Sequence, residues 1–180
     1  MKAFISLCIC AMMASNTFAQ TTNNNENNEN VAKSSYVICQ NPDTPQHYEG
    51  GERAVNNFIK VNMKYPYQAQ REAVEGTVIV SYILNEDGLA DEVEAVEYNG
   101  IKATKDKGIA QLALENLLKD YPKLKANAQR RYMEAVQSLL VEAVRLVFNL
   151  PKATPAMKDG KPVSVKCTIP VEFEHKEKHI

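Results

Sequence analysis

Between Thr77 and Leu84 the chain alternates, with Val78, Val80, Tyr82 and Leu84 on one side and Thr77, Ile79, Ser81 and Ile83 on the other. That period of two predicts a strand with one well-buried face and one partly buried face. Asn85-Glu86-Asp87-Gly88 follows, and Gly supplies the positive φ that a short connection between right-twisted strands needs. A hairpin is therefore expected, its second strand ending at Tyr98. Ahead of it, Ala54, Val55, Phe58, Ile59 and Met63 recur at helical spacing. They predict a helix that packs one stripe on the hairpin and stops by Lys64, because Pro66 biases Tyr65 away from the helical region.

After the hairpin the period becomes helical. Ile109, Leu112, Ala113 and Leu117 mark one helix, ended near Tyr121 by Pro122. A longer one, from about Leu124 to Asn149, carries Met133, Val136, Leu140, Ala143, Val144, Val147 and Phe148 on its apolar side. Pro151 to Lys161 reads as a loop with an Asp159-Gly160 turn. From Pro162 to Phe173 the alternation returns as one long final strand, with Val163, Val165, Cys167, Ile169, Val171 and Phe173 sharing a face. Pro170 has no backbone donor, which favours an edge position. Tyr36 to Cys39 is β-prone and reads as a further edge strand ended by Pro42 and Pro45. The expected fold class is α+β: a small antiparallel sheet, hairpin plus C-terminal strand, packed by helices, with an inserted helical hairpin.

Composition adds a compartment. Met1 to Ala19 has a basic start at Lys2, an apolar run and a Thr17-Phe18-Ala19 cleavage pattern, the form of a secretory leader. The apolar run is shorter than the roughly 20 residues a spanning helix needs. The alternative is an uncleaved anchor. Residues 20–35 are Asn- and Glu-rich and read as a disordered spacer. One domain at 36–174, with a helical insertion at 101–137, and a charged tail at 175–180 complete the expected organisation. The formal net charge of −1, one more negative once Lys2 leaves with the leader, gives no general attraction to nucleic acid. Cys8 and Cys10 lie in the leader. Cys39 and Cys167 remain, and in an oxidising compartment they are the candidate disulfide, the alternative being two separately buried thiols.

Chemistry is sparse. His175 and His179 have a helical metal-binding spacing, but they sit in the charged tail and Glu177 is out of place for a metalloprotease motif. No nucleophile elbow, phosphate loop or dinucleotide fingerprint occurs. Asp91 and Glu92 read as a solvated face. The expectation is no enzyme, no metal, no cofactor and no small-molecule substrate.

Several short stretches are informative together: Gly50-Gly51-Glu52 opening a helix, Lys64-Tyr65-Pro66 with Ala69, Glu75-Gly76-Thr77-Val78-Ile79-Val80, and Asn85-Glu86-Asp87-Gly88. Asp159-Gly160-Lys161-Pro162-Val163, leading to Ile169-Pro170-Val171-Glu172-Phe173, closes the set. In this order they resemble the C-terminal domain of TonB, the periplasmic energy-transducing protein of Gram-negative bacteria, over about residues 46–98 and 138–174. The resemblance implies a periplasmic protein-binding module that takes an extended peptide, such as a segment of an outer-membrane receptor, by adding a strand to its sheet. Val163, Val165, Cys167 and Ile169 would offer the backbone bonds, and Tyr65 and Pro66 would shape the surface beside them. Two alternatives stand: a structural protein that forms a homodimer or docks on an inner-membrane transport complex, and a membrane-retained energy transducer. Peptide capture requires that the Tyr36 region and the inserted helices leave the outer side of the final strand free.

Overall fold

The computed structural model describes residues 36–175. The leader at 1–19, the spacer at 20–35 and most of the charged tail lie outside the described residues. Helix α1 (Gly51–Asn62) is followed by the short α2 (Tyr67–Arg71), strands β1 (Gly76–Leu84) and β2 (Ala90–Tyr98), and a two-residue β3 (Ile101–Lys102). Helices α3 (Ile109–Asp120) and α4 (Ala126–Phe148) come next, then β4 (Ala156–Lys158), β5 (Lys161–Val163) and β6 (Val165–Phe173). The main sheet has the order β3-β2-β1-β6 and every pairing in it is antiparallel.

The hairpin forms as its pattern demands. Asn85 Oδ1 accepts from the Asp87 and Leu89 N–H groups, each at 3.0 Å, and Gly88 takes φ 79°. Gly88 is required a second time by packing: the Ala153 N–H donates to its carbonyl at 2.8 Å, and a Cβ there would stand 1.9 Å from the Ala153 oxygen.

Val78, Val80, Tyr82 and Leu84 join Val165, Cys167, Val171 and Phe173 on the buried face. Helix α4 lies across β1 and β2 on that face, flanked by α2 and α3, and touches α1. Fully enclosed side chains such as Phe173, Leu84, Leu139 and Leu146 each contribute about 1.5–3 kcal/mol. The opposite face exposes Glu94, Lys166, Thr168 and Glu172.

Three expectations need correction. The run from Pro162 to Phe173 is not one strand. Val163 pairs with Ala156 in the separate β4-β5 hairpin, and the chain changes sheet at Ser164. The switch is anchored by Asp43, which accepts from Lys158 Nζ at 2.7 Å and from the Asp159 N–H at 2.8 Å and so holds the turn beside the N-terminal segment. Tyr36 to Cys39 makes one bridge, Ile38 to Ser164, rather than an edge strand, because the chain then diverges to pair Thr44 with Met157 and His47 with Thr154. On α4, Phe148 is 60 % exposed while Leu139 and Leu146 are enclosed. The stripe is rotated from the expected one and has Glu142 within it.

Candidate strand-accepting edge

Which backbone groups of β6 are available follows from parity. The Asn99 N–H donates to the Thr77 carbonyl at 3.0 Å, so odd-numbered residues of β1 face β2 and even-numbered ones face β6. Tyr82 is opposite Cys167 and Val80 opposite Ile169, so Val165, Cys167, Ile169, Val171 and Phe173 are spent on the β1 ladder. The even residues turn outward. Consistently, the outward carbonyl of Ser164 accepts from the Cys39 N–H at 2.8 Å. Beyond that point no backbone hydrogen bond among the described residues reaches the outward groups of Lys166, Thr168, Pro170 or Glu172. Pro170, which has no donor to give, falls on the outer side, where its missing N–H breaks nothing in the sheet.

A groove of about 510 Å³ runs beside this edge. One wall is the Gln46–Tyr48 segment and the first turns of α1, including Val55; the floor is Tyr82 and Cys167. Gly50 at φ 80° and Gly51 at φ 64° turn the chain from Tyr48 into α1, with the Gly51 N–H donating to the Tyr48 carbonyl at 2.8 Å. The Tyr48 and Tyr82 hydroxyls are 3.4 Å apart. Burial drives the Tyr82 phenol far above its ordinary value and raises the Cys167 thiol, whose sulfur accepts from Gln46 Nε2 at 3.3 Å. The floor is therefore neutral, and it offers apolar contact and hydrogen bonds rather than a thiolate nucleophile.

The expected site residues are divided. Cys167 and Ile169 line the groove, but their backbone groups face β1. Val165 is buried on the core face, and Val163 belongs to β5. Tyr65 stands at the far end of β6: its ring meets Phe173 edge-on at 6.1 Å and its hydroxyl donates to the Val74 carbonyl at 2.6 Å. Pro66 lines a separate shallow cleft against α4. Cys39 and Cys167 are both free thiols, so the candidate disulfide is not formed in this structure. Cys39 is held by its backbone at Ser164, whereas the Cys167 thiol is turned to Gln46 and Tyr82. Among the described residues no cluster of three His, Cys, Asp or Glu side chains is placed to hold a metal.

Sequence reasoning missed the fastening of the groove wall. Glu142, its side chain 10 % exposed, accepts from Arg145 at 2.7 and 2.8 Å and from the Lys64 N–H at 2.7 Å; Arg145 also donates to the Asn62 carbonyl at 2.9 Å. This pair ties the end of α1 and the Tyr65-Pro66 corner to α4. The available signal was a carboxylate inside an apolar helical stripe with an Arg three positions on.

The two exposed margins of the sheet differ in regularity. β6 keeps one register with β1 over its whole length. β2 has two register shifts against β1, carries Glu92 at φ 43°, and is continued only by the short β3.

Residues 61–133 match the family model described as the Gram-negative bacterial TonB protein C-terminal. The matched stretch holds the Tyr65-Pro66 corner and the hairpin and stops short of β6. Two solved structures are similar. One is the NMR solution structure of Helicobacter pylori TonB-CTD residues 179–285, at 20% identity and a TM-score of 0.33, covering 69% of this chain and 79% of that one. The other is the same domain over residues 194–285, at 21% identity and a TM-score of 0.32, covering 70% and 95%. At those scores no residue of either structure is carried onto this chain. No curated protein matches. No helix among the described residues is long and apolar enough to cross a membrane.

Proposed function

From the TonB C-terminal domain recognised over residues 61–133, a family of protein-interaction modules, we propose that this protein is a periplasmic module that captures an extended peptide on the outer edge of β6. The observation that carries this reading is the run from Lys166 to Glu172, whose outward backbone groups have no backbone partner among the described residues and lie beside a groove. Helix α3 packs on α4, β2 and β3, at the opposite margin of the sheet, and among the described residues the N-terminal segment bonds the outward backbone of this strand at Ser164. An outer-membrane receptor segment is the expected ligand class, reached after removal of the leader at 1–19. Recovery of the protein from membranes with Met1 intact would instead mark a membrane-retained transducer.

Parity selects the test. Proline at Val165 would remove a donor from the β1 ladder and damage the fold, whereas Thr168→Pro removes an outward donor at an exposed position, as Pro170 already does. Thr168→Pro should weaken binding of a receptor-derived extended peptide by about ten-fold or more and change urea stability by less than about 1 kcal/mol. A folded Thr168→Pro protein that binds as well as wild type would overturn edge capture.

A further inference from the structure

Lys166 and Glu172 stand at the two ends of the free run, both exposed and both in no ion pair among the described residues. Residues directly opposite one another in an antiparallel pair share a face, with Cβ atoms about 4.5–5.5 Å apart. An added strand therefore sets one set of alternate side chains against Lys166, Thr168, Pro170 and Glu172. It turns the other set to the face of Cys167 and Ile169, into the groove floored by Tyr82. A charged side chain set down on Tyr82 and Cys167 would lose water without a charged partner on that floor, since the ionisable His47 and Glu52 belong to the wall; an apolar one fits.

Resting on the edge-capture reading, we propose that the peptide accepted by β6 runs antiparallel to it and begins with a basic residue opposite Glu172. It ends with an acidic residue opposite Lys166 and turns apolar side chains into the groove between them. Antiparallel sense continues the strand pairings of the main sheet, all antiparallel beside the isolated parallel bridge of Ile38 to Ser164. Lys166, Thr168 and Glu172 then each exchange both bonds with one ligand residue, while Pro170 only accepts. β6 itself reads from Lys166 to Glu172 in this pattern, so a second copy of the chain is the rival occupant. A two-fold pairing of β6 strands would, however, bring a second Gln46–Tyr48 wall and a second α1 to the same face. A lone strand brings neither.

The test uses fluorescein-labelled Lys-Val-Thr-Val-Thr-Val-Glu and its charge-reversed twin Glu-Val-Thr-Val-Thr-Val-Lys, titrated with the full chain in low salt and followed by anisotropy. Opposite-charge cross-strand pairs are worth about two- to five-fold each, so wild type should prefer the first peptide by about ten-fold. The double variant Lys166→Glu, Glu172→Lys should reverse the preference, and 0.5 M salt should shrink it. Equal binding of both peptides, lost with Thr168→Pro, would overturn the charge register and leave edge capture standing. Binding that survives Thr168→Pro would overturn edge capture itself. Binding of neither peptide overturns the register. So does a concentration-dependent dimer in sedimentation that neither peptide dissociates, which would identify the second copy as the occupant.

Discussion

Along β2 the outer margin is broken: the strand slips register twice against β1, turns through a left-handed residue at Glu92, and is extended by only the two residues of β3. Asp91, Glu92, Glu94 and Glu97 add negative charge to the same strand. Bulges, charge and brevity each hinder another strand from pairing. Along β6 the ladder is regular for nine residues, and only Pro170 interrupts the outward donors. A sheet protein that merely had to avoid aggregation would have reason to roughen both margins. Here one is roughened and the other is kept straight beside a groove, which is the asymmetry a strand-accepting protein needs.

The harshest test of that contrast compares the two sides of one strand. Cys167→Pro and Thr168→Pro are adjacent in sequence, yet the first removes a donor facing Tyr82 in the ladder and the second a donor facing outward. Cys167→Pro should lower urea stability by at least about 3 kcal/mol, while Thr168→Pro stays within about 1 kcal/mol. Equal losses would show that the outer side of β6 is as engaged as the inner one.

A smaller effect is expected at the fastening of the groove wall, for which the roughened margin has no equivalent among the described residues. Burial pushes the Glu142 carboxyl up, but the Arg145 hydrogen bonds, the Lys64 N–H and the charges of both residues outweigh it and hold the group below the ordinary value of 4.5. A depressed carboxylate stabilises the fold above its unfolded pKa, and that stability is lost as pH falls through the lower folded pKa. Glu142→Gln should lower stability by about 1–2 kcal/mol at pH 7, a modest figure because Arg145 is 39% exposed. The gap from wild type should close as pH is taken well below 4.5. A gap independent of pH would mean that the Glu142 charge contributes nothing. Peptide affinity should fall in the same variant if α1 has to be held in place to wall the groove.

How far this contrast could be read in the sequence depended on whether a feature is local. The β1-β2 hairpin and helices α1, α3 and α4 follow from short-range period and turn chemistry, and their expected limits fall within a few residues of the observed ones. The break at Ser164 could not be seen, because the alternation from Val163 to Phe173 continues through a change of partner that only distant residues, Ala156 and Ile38, reveal. The Tyr65-Pro66 corner was recognisable, and Tyr65 is spent on Phe173 and Val74 as a positioning residue. Along β6 the sequence pattern points to the apolar positions, and the parity of the outward backbone groups is the opposite one. Val165, Cys167 and Ile169 are the apolar positions that stand out in a sequence, but their backbone groups are committed to β1. The available groups belong to the polar residues between them. Side-chain alternation fixes which face a residue joins; which edge its backbone serves depends on the register with a strand some eighty positions away in sequence.

The mildest expected change lies on the other margin. Lys102 is 78% exposed and its contact with Glu97 is a 4.0 Å ion pair at the surface. Such a pair is worth at most about 0.5–1 kcal/mol, so Lys102→Ala should leave urea stability nearly unchanged. Removing that cation also makes the β2 margin more negative, which discourages an acidic ligand there and does nothing to mend its two register shifts. Peptide binding measured by anisotropy should therefore stay within two-fold of wild type. A loss comparable to that of Thr168→Pro would place the ligand on the β3 side, and the regularity of β6 would then have to be explained by packing against β1 alone.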